Sequence, residues 1–178
     1  MNQPEILIVG AGGMGALFGS ILHENGLKVV LYDTNTEHIR AIQQAGLKIE
    51  GYGGDRTIPI AATSNLSELE SAEIIIFQCK SHGTRQAAKA VKPLITQESV
   101  CISFQNGLGN EEVMAEELGN DSVIGGLTAM AGVLLEPGKI RDFSRVPSHI
   151  GEMRGGISER AQTIADRLSQ AGLETHVS

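Results

Sequence analysis

Short apolar runs alternating with amphipathic stretches set the rhythm of this chain. Ile6-Leu7-Ile8-Val9 has no polar position, and three of its four residues are β-branched, which suits a strand buried on both faces. Leu17, Phe18, Ile21 and Leu22 then recur at helical spacing and predict a helix from Met14 to Glu24. Val29–Tyr32 reads as a second strand, ended by Asp33. A helix over Thr34–Ala45 follows, with Ile39 and Ile42 inward and Gly46 as its stop. Leu47–Glu50 and Thr57–Ala61 flank a Gly51–Asp55 turn and predict a hairpin. Ile74–Phe77 is another buried strand, leading to a helix near Thr84–Leu94 that closes at Pro93. Val100–Phe104 and a short helix at Glu111–Leu118 come next. Val123–Leu135 is apolar and rich in small residues. It runs through a Glu136-Pro137-Gly138-Lys139 turn into Lys139–Phe143, again as a hairpin, with a further strand at His149–Gly151. Ser158–Ala171 reads as an amphipathic helix with Ile164, Ala165 and Leu168 inward and Gly172 as its cap. Leu173–Val177 begins one more strand.

Strands alternating with helices imply right-handed crossovers and a parallel sheet covered on both faces. The expected fold is therefore α/β of Rossmann type, a doubly wound, mostly parallel sheet with antiparallel hairpin additions, over one domain of residues 1–178. Composition changes this picture little: 41% hydrophobic and 20% charged residues are ordinary for a globular chain. A net charge of −7 with no Lys/Arg cluster argues against a nucleic-acid partner. No apolar run reaches the ~18 residues a membrane helix needs, and no signal segment opens the chain, so no membrane partner and a cytoplasmic location are expected. The two cysteines, Cys79 and Cys101, sit in or beside strand-like runs without metal spacing, and read as reduced, buried thiols.

The first strand breaks directly into Gly10-x-Gly12-x-x-Gly15 and then a helix. Gly10 permits the tight turn, Gly12 lets a pyrophosphate approach the backbone, and Gly15 lets helix pack on strand. Free N–H groups at that helix start face the phosphates. Asp33, closing the second strand, is placed to accept hydrogen bonds from an adenosine ribose and to repel a 2′-phosphate. It favours NAD, with NADP as the alternative. Helix capping is the other account of an acid at this position. Lys80 leaves the carboxyl end of the Ile74–Phe77 strand, where a lysine reaches a phosphate, a ribose or a carboxylate, and His82 follows it in the same loop. Asn106 leaves the next strand within Gln105-Asn106-Gly107-Leu108-Gly109, and an amide there can orient a carbonyl oxygen. Asn110 is a candidate cap for the helix that follows.

Taken together, Gly10-Ala11-Gly12-Gly13-Met14-Gly15, Cys79-Lys80 and Gln105–Gly109 resemble the ketopantoate reductase (2-dehydropantoate 2-reductase) family. Gly125–Ala131 and His149-Ile150-Gly151 fit the same pattern. The resemblance implies reduction of a 2-keto acid to a D-type 2-hydroxy acid by nicotinamide hydride, with a small-molecule 2-keto acid as partner and a homodimer left open. It implies that Gly10, Ala11, Gly12, Gly13, Met14, Gly15, Asp33, Cys79, Lys80, Asn106 and Gly107 line the cofactor. Asn106 and Lys80 would be catalytic. The family's NADP-dependent members carry a basic residue after the second strand, where this chain has Asp33-Thr34. That departure brings the NAD-dependent D-2-hydroxyacid (mandelate-type) dehydrogenases into view. The family's proton-donating lysine belongs to a helical C-terminal domain outside these residues, so these residues are expected to bind cofactor and turn over negligibly. A non-catalytic dinucleotide-sensing domain is the rival, and it gives no reason for Lys80 and the Asn106 loop to occur together.

Overall fold

The computed structural model describes residues 2–178. Near the middle of its larger sheet lies β1 (Ile6–Val9), between β2 (Val29–Tyr32) and β6 (Ile74–Phe77) and parallel to both. Beyond β2 comes β5 (Ala61–Thr63). Beyond β6 come β7 (Val100–Ser103), β8 (Val123–Thr128), β11 (Ser148–Glu152) and β12 (Thr175–Val177). The eight strands run in the order β12-β11-β8-β7-β6-β1-β2-β5, parallel except for the β8–β11 pair. This is the doubly wound, Rossmann-type α/β arrangement the alternation predicts.

Successive side chains of a strand point to opposite faces, and both faces here are covered. Ile6 and Ile8 pack with α1 (Gly13–Glu24) through Leu17 and Phe18, α2 (Thr36–Ala45) through Ile39 and Ile42, and α5 (Glu159–Gln170) through Ile164 and Leu168. Leu7 and Val9 point the other way, toward α3 (Thr84–Val91) through Ala88 and Val91 and α4 (Asn110–Leu118) through Met114. Two-sided burial explains why the central strands lack polar positions. Each such side chain contributes about 1.5–3 kcal/mol.

Two of the expected strands divide between different sheets. Thr57–Ala61 is not one strand. β4 (Arg56–Ile58) pairs antiparallel with β3 (Leu47–Gly51), the chain breaks at Pro59, which cannot donate to a ladder, and β5 joins the large sheet. Val123–Leu135 likewise divides into β8 in the large sheet and β9 (Ala131–Glu136), which forms the expected hairpin with β10 (Lys139–Ser144). The two hairpins meet as a separate sheet of order β4-β3-β10-β9, joined by a parallel β3–β10 ladder. Leu47, Ile49, Ile58 and Ile140 are buried beneath it, and Glu50 pairs with both Lys139 and Arg141 across the join. Of the two cysteines only Cys101 is fully buried, which pushes its thiol up to about 12; Cys79 is half-buried at the end of β6.

The outer layer is fastened by α5. Ser158 caps the helix by accepting the Ala161 N–H and donates its hydroxyl to Glu152 on β11. Arg160 grips the same carboxylate with two hydrogen bonds, at 2.7 and 2.6 Å. The Arg160 hydrogen bonds come first among the causes that hold Glu152 down at about 2, and the Ser158 hydroxyl adds to them. Because the folded value lies below the ordinary one, the pair stabilises the fold above about pH 4.5. That contribution disappears as pH falls through about 2. Thermal melts are expected to show a melting temperature that drops more steeply over this window for the natural chain than for Glu152→Gln; equal slopes would contradict the assignment.

Candidate functional site

Three glycines of the first turn are glycine for three different reasons. Gly10 has φ +97°, and a Cβ there would run into the backbone of Cys79, so the turn fits only against the β6 loop. A Cβ on Gly15 would overlap the Gly10 carbonyl oxygen and lie 3.0 Å from Ile8 Cγ2, because α1 presses directly on β1. Gly12 is the opposite case. Its φ of −64° is open to any residue, no atom lies within 4 Å of its Cβ position, and its N–H donates to no described residue. The first turn of α1 thus starts beside free space, with Ala16 N–H already bonded to Gly12 O at 2.9 Å.

The neighbouring residues face elsewhere. A Cβ on Gly13 would sit 2.5 Å from Val133 Cα and 2.7 Å from Gly132 O, so Gly13 admits β9 against the helix start. Met14 packs on the hydrophobic core, and Ala11 is buried.

At the end of β2, Asp33 does not cap α2. Asn35 does, through its Oδ1 and the His38 N–H, so the helix begins at Thr36 and not at Thr34. Asp33 Oδ1 accepts the Asn35 N–H at 2.8 Å, and Oδ2 has no donor among the described residues. The side chain is half-buried beside Tyr32 and Cys79. Burial pushes the Tyr32 phenol up and the Asp33 charge adds to it; the same two causes raise the Cys79 thiol, which stays protonated at neutral pH.

Two loops follow β6 and β7, and a buried polar network locks them together. Gln105 Nε2 donates to Cys79 O at 2.8 Å and to Thr84 Oγ1 at 2.7 Å, with Cys79 Sγ at 3.4 Å. The Thr84 hydroxyl donates to Asn110 Oδ1 at 3.0 Å, and Asn110 Nδ2 reaches the carbonyls of Asn106 and Gly107 at 3.2 and 3.3 Å. Ser81, next to Lys80, donates to Asn106 O at 2.9 Å. The backbone carbonyls of Asn106 and Gly107 are thereby held, while the side chains of Asn106 and Lys80 remain exposed. Asn110 is consequently no cap: Gly109, with φ +89°, precedes the helix, and Asn110 is its first residue. None of Gln105, Thr84 or Asn110 carried a signal that placed it here, since the bond joins loops about 26 residues apart.

Gly10, Asp33, Cys79, Lys80 and His82 line a cleft of about 510 Å³ at the carboxyl ends of β1, β2 and β6. Gly12 and Asn106 lie outside its walls. A larger cavity, about 750 Å³, opens between Pro4, His23 and Glu70 at the amino ends of the strands. The start of α3, preceded by Gly83, borders the smaller cleft, and its unpaired N–H groups favour an anionic ligand there.

The chain is similar to proteins of one known family. The family model for ketopantoate reductase PanE/ApbA matches residues 6–155. A 2-dehydropantoate 2-reductase of Pyrococcus abyssi is 34% identical over 174 residues, 98% of this chain and 56% of that protein. One from Lactococcus lactis is 30% identical over 176 residues, with the same coverage. Among solved structures, D-mandelate dehydrogenase with NADH and anilino(oxo)acetate superposes with a TM-score of 0.91 at 27% identity, over 97% of this chain and 56% of that one. The 2-dehydropantoate 2-reductase of Geobacter metallireducens gives 0.89 at 27% identity, over 97% and 57%. The chain therefore spans 56% of the length of these curated relatives. With its glycine turn, its paired β6 and β7 loops and the matched span in agreement, this chain belongs to the ketopantoate reductase PanE/ApbA family.

Proposed function

We propose that this chain binds a nicotinamide dinucleotide across the carboxyl ends of β1, β2 and β6, and forms the cofactor-holding part of a 2-keto acid reductase. The unobstructed Gly12 position at the start of α1, at the same end of the sheet as the cleft that Asp33 and Lys80 line, supports this reading. The Gly12 N–H and the helix start would hold the pyrophosphate, and Asp33 Oδ2 would accept the ribose hydroxyls. Lys80 would place one positive charge against phosphate or substrate carboxylate. A bound nicotinamide supplies the hydride for the ketone carbon. Asn106 would donate its amide N–H to the ketone oxygen, stiffened by the carbonyl bonds that fix its loop. The proton for that oxygen comes from a group outside these residues, and with it most of the substrate wall. Substrates of 2-dehydropantoate type and bulkier mandelate-type 2-keto acids both suit this chemistry.

Within this reading NAD is favoured over NADP, because Asp33 would meet a 2′-phosphate as like charge in a half-buried site. Fluorescence titration is expected to show NADH binding at least about tenfold tighter than NADPH, and Asp33→Ser is expected to erase most of that gap. An unchanged ratio in the variant removes Asp33 from the cofactor.

The glycines separate ligand binding from folding. Gly12→Ala should melt at the natural temperature yet bind NADH at least about tenfold more weakly. Gly15→Ala should lose about 1–3 kcal/mol of stability, since its methyl group meets a backbone carbonyl. Full NADH affinity in Gly12→Ala would refute the cradle. For the chemistry, Asn106→Ala in a polypeptide of the relatives' full length is expected to lower kcat by about 10²–10³ with little change in dinucleotide affinity.

A further inference from the structure

Inside α2 lies a buried histidine. His38 is 1% exposed, and both ring nitrogens are engaged. Its Nε2 stands 2.8 Å from the carbonyl oxygen of Ala11, in the glycine turn. The Gly138 N–H, in the β9–β10 turn of the smaller sheet, donates to Nδ1 at 2.9 Å. A backbone N–H can only donate, so Nδ1 is the acceptor and the ring proton sits on Nε2, directed at Ala11 O. Protonating both nitrogens would forfeit the Gly138 bond.

Resting on the dinucleotide reading above, we propose that His38 is a positioning residue for the phosphate-binding amide of Gly12, with the smaller sheet as its anchor. The Ala11–Gly12 peptide is planar and trans, so its C=O and N–H point in opposite directions. Holding the Ala11 oxygen toward α2 turns the Gly12 N–H away from α2, and that N–H donates to no described residue. The anchor itself is firm. A Cβ on Gly138 would sit 2.9 Å from Ala41 Cβ on α2, and Val133 of β9 backs onto Gly13. The smaller sheet thus fixes the direction of a donor that would meet the ligand.

A purely structural role predicts something else. If His38 served only to tie α2 to the β9–β10 turn, the Gly138 bond would matter and the Ala11 bond would not. Asparagine places its amide near the Nδ1 position and glutamine near Nε2, so the two contacts can be tested apart. His38→Gln, which can keep the Ala11 contact, is expected to bind NADH within about threefold of the natural chain. His38→Asn, which can keep only the Gly138 contact, is expected to bind about tenfold more weakly even where it melts no lower. Equal NADH affinity in the two variants, or losses that simply follow their melting temperatures, would overturn the proposal. Absence of NADH binding in the natural chain would instead defeat the dinucleotide reading itself. If neither variant folds, nitrogen-15 spectra of the natural chain decide. An Nε2–H ring whose proton exchanges more slowly with NADH added supports the proposal, and an Nδ1–H ring or an unaltered exchange rate overturns it.

Discussion

Backbone lying directly against backbone at the first crossover is the constraint on which the site depends. α1 comes so close to β1 that a methyl group on Gly15 would enter the Gly10 carbonyl, and Gly10 in turn abuts the backbone of Cys79. Those two approaches align three things with no side chain intervening: the carboxyl end of β1, the start of α1 and the loop after β6. Gly12 stands open because the residues around it are packed without slack.

Electrostatically the arrangement is local. The chain carries a net charge of −7, yet its cleft sets one lysine, Lys80, against one acid, Asp33, whose Oδ1 is already occupied by a backbone N–H. Partial charges fixed by geometry act over the few ångströms that matter, while the overall charge is spread over a solvated surface. An acidic protein can in this way offer positive charge locally without a basic patch.

What the sequence made legible follows from how each element earns its stability. β1, β6 and β7 are buried on both faces, so their apolar runs announce them, and the helices between them keep one apolar stripe. Residue type and position after a strand were enough to single out Asp33, Lys80 and Asn106. The smaller sheet was not legible as a unit, because its defining pair joins Ile49 to Ile140 and nothing near either residue encodes the other. Gln105, Thr84 and Asn110 were hidden for the same reason. His38 did leave a trace: it falls one helical turn before the buried Ile42, on the inward stripe, where a polar residue needs partners. The alternative of capping at Asp33 falls away because Asn35, two residues on, is the cap and sits nearer the helix start.

The β3–β10 ladder also bears on how the chain acquires its shape. β1, α1 and β2 are neighbours in sequence and can condense from local contacts. The ladder must close a loop of about 90 residues before any of its hydrogen bonds form, an entropic delay that contact order measures. Folding kinetics therefore impose an order in which the glycine turn forms early and acquires its rigid backing late.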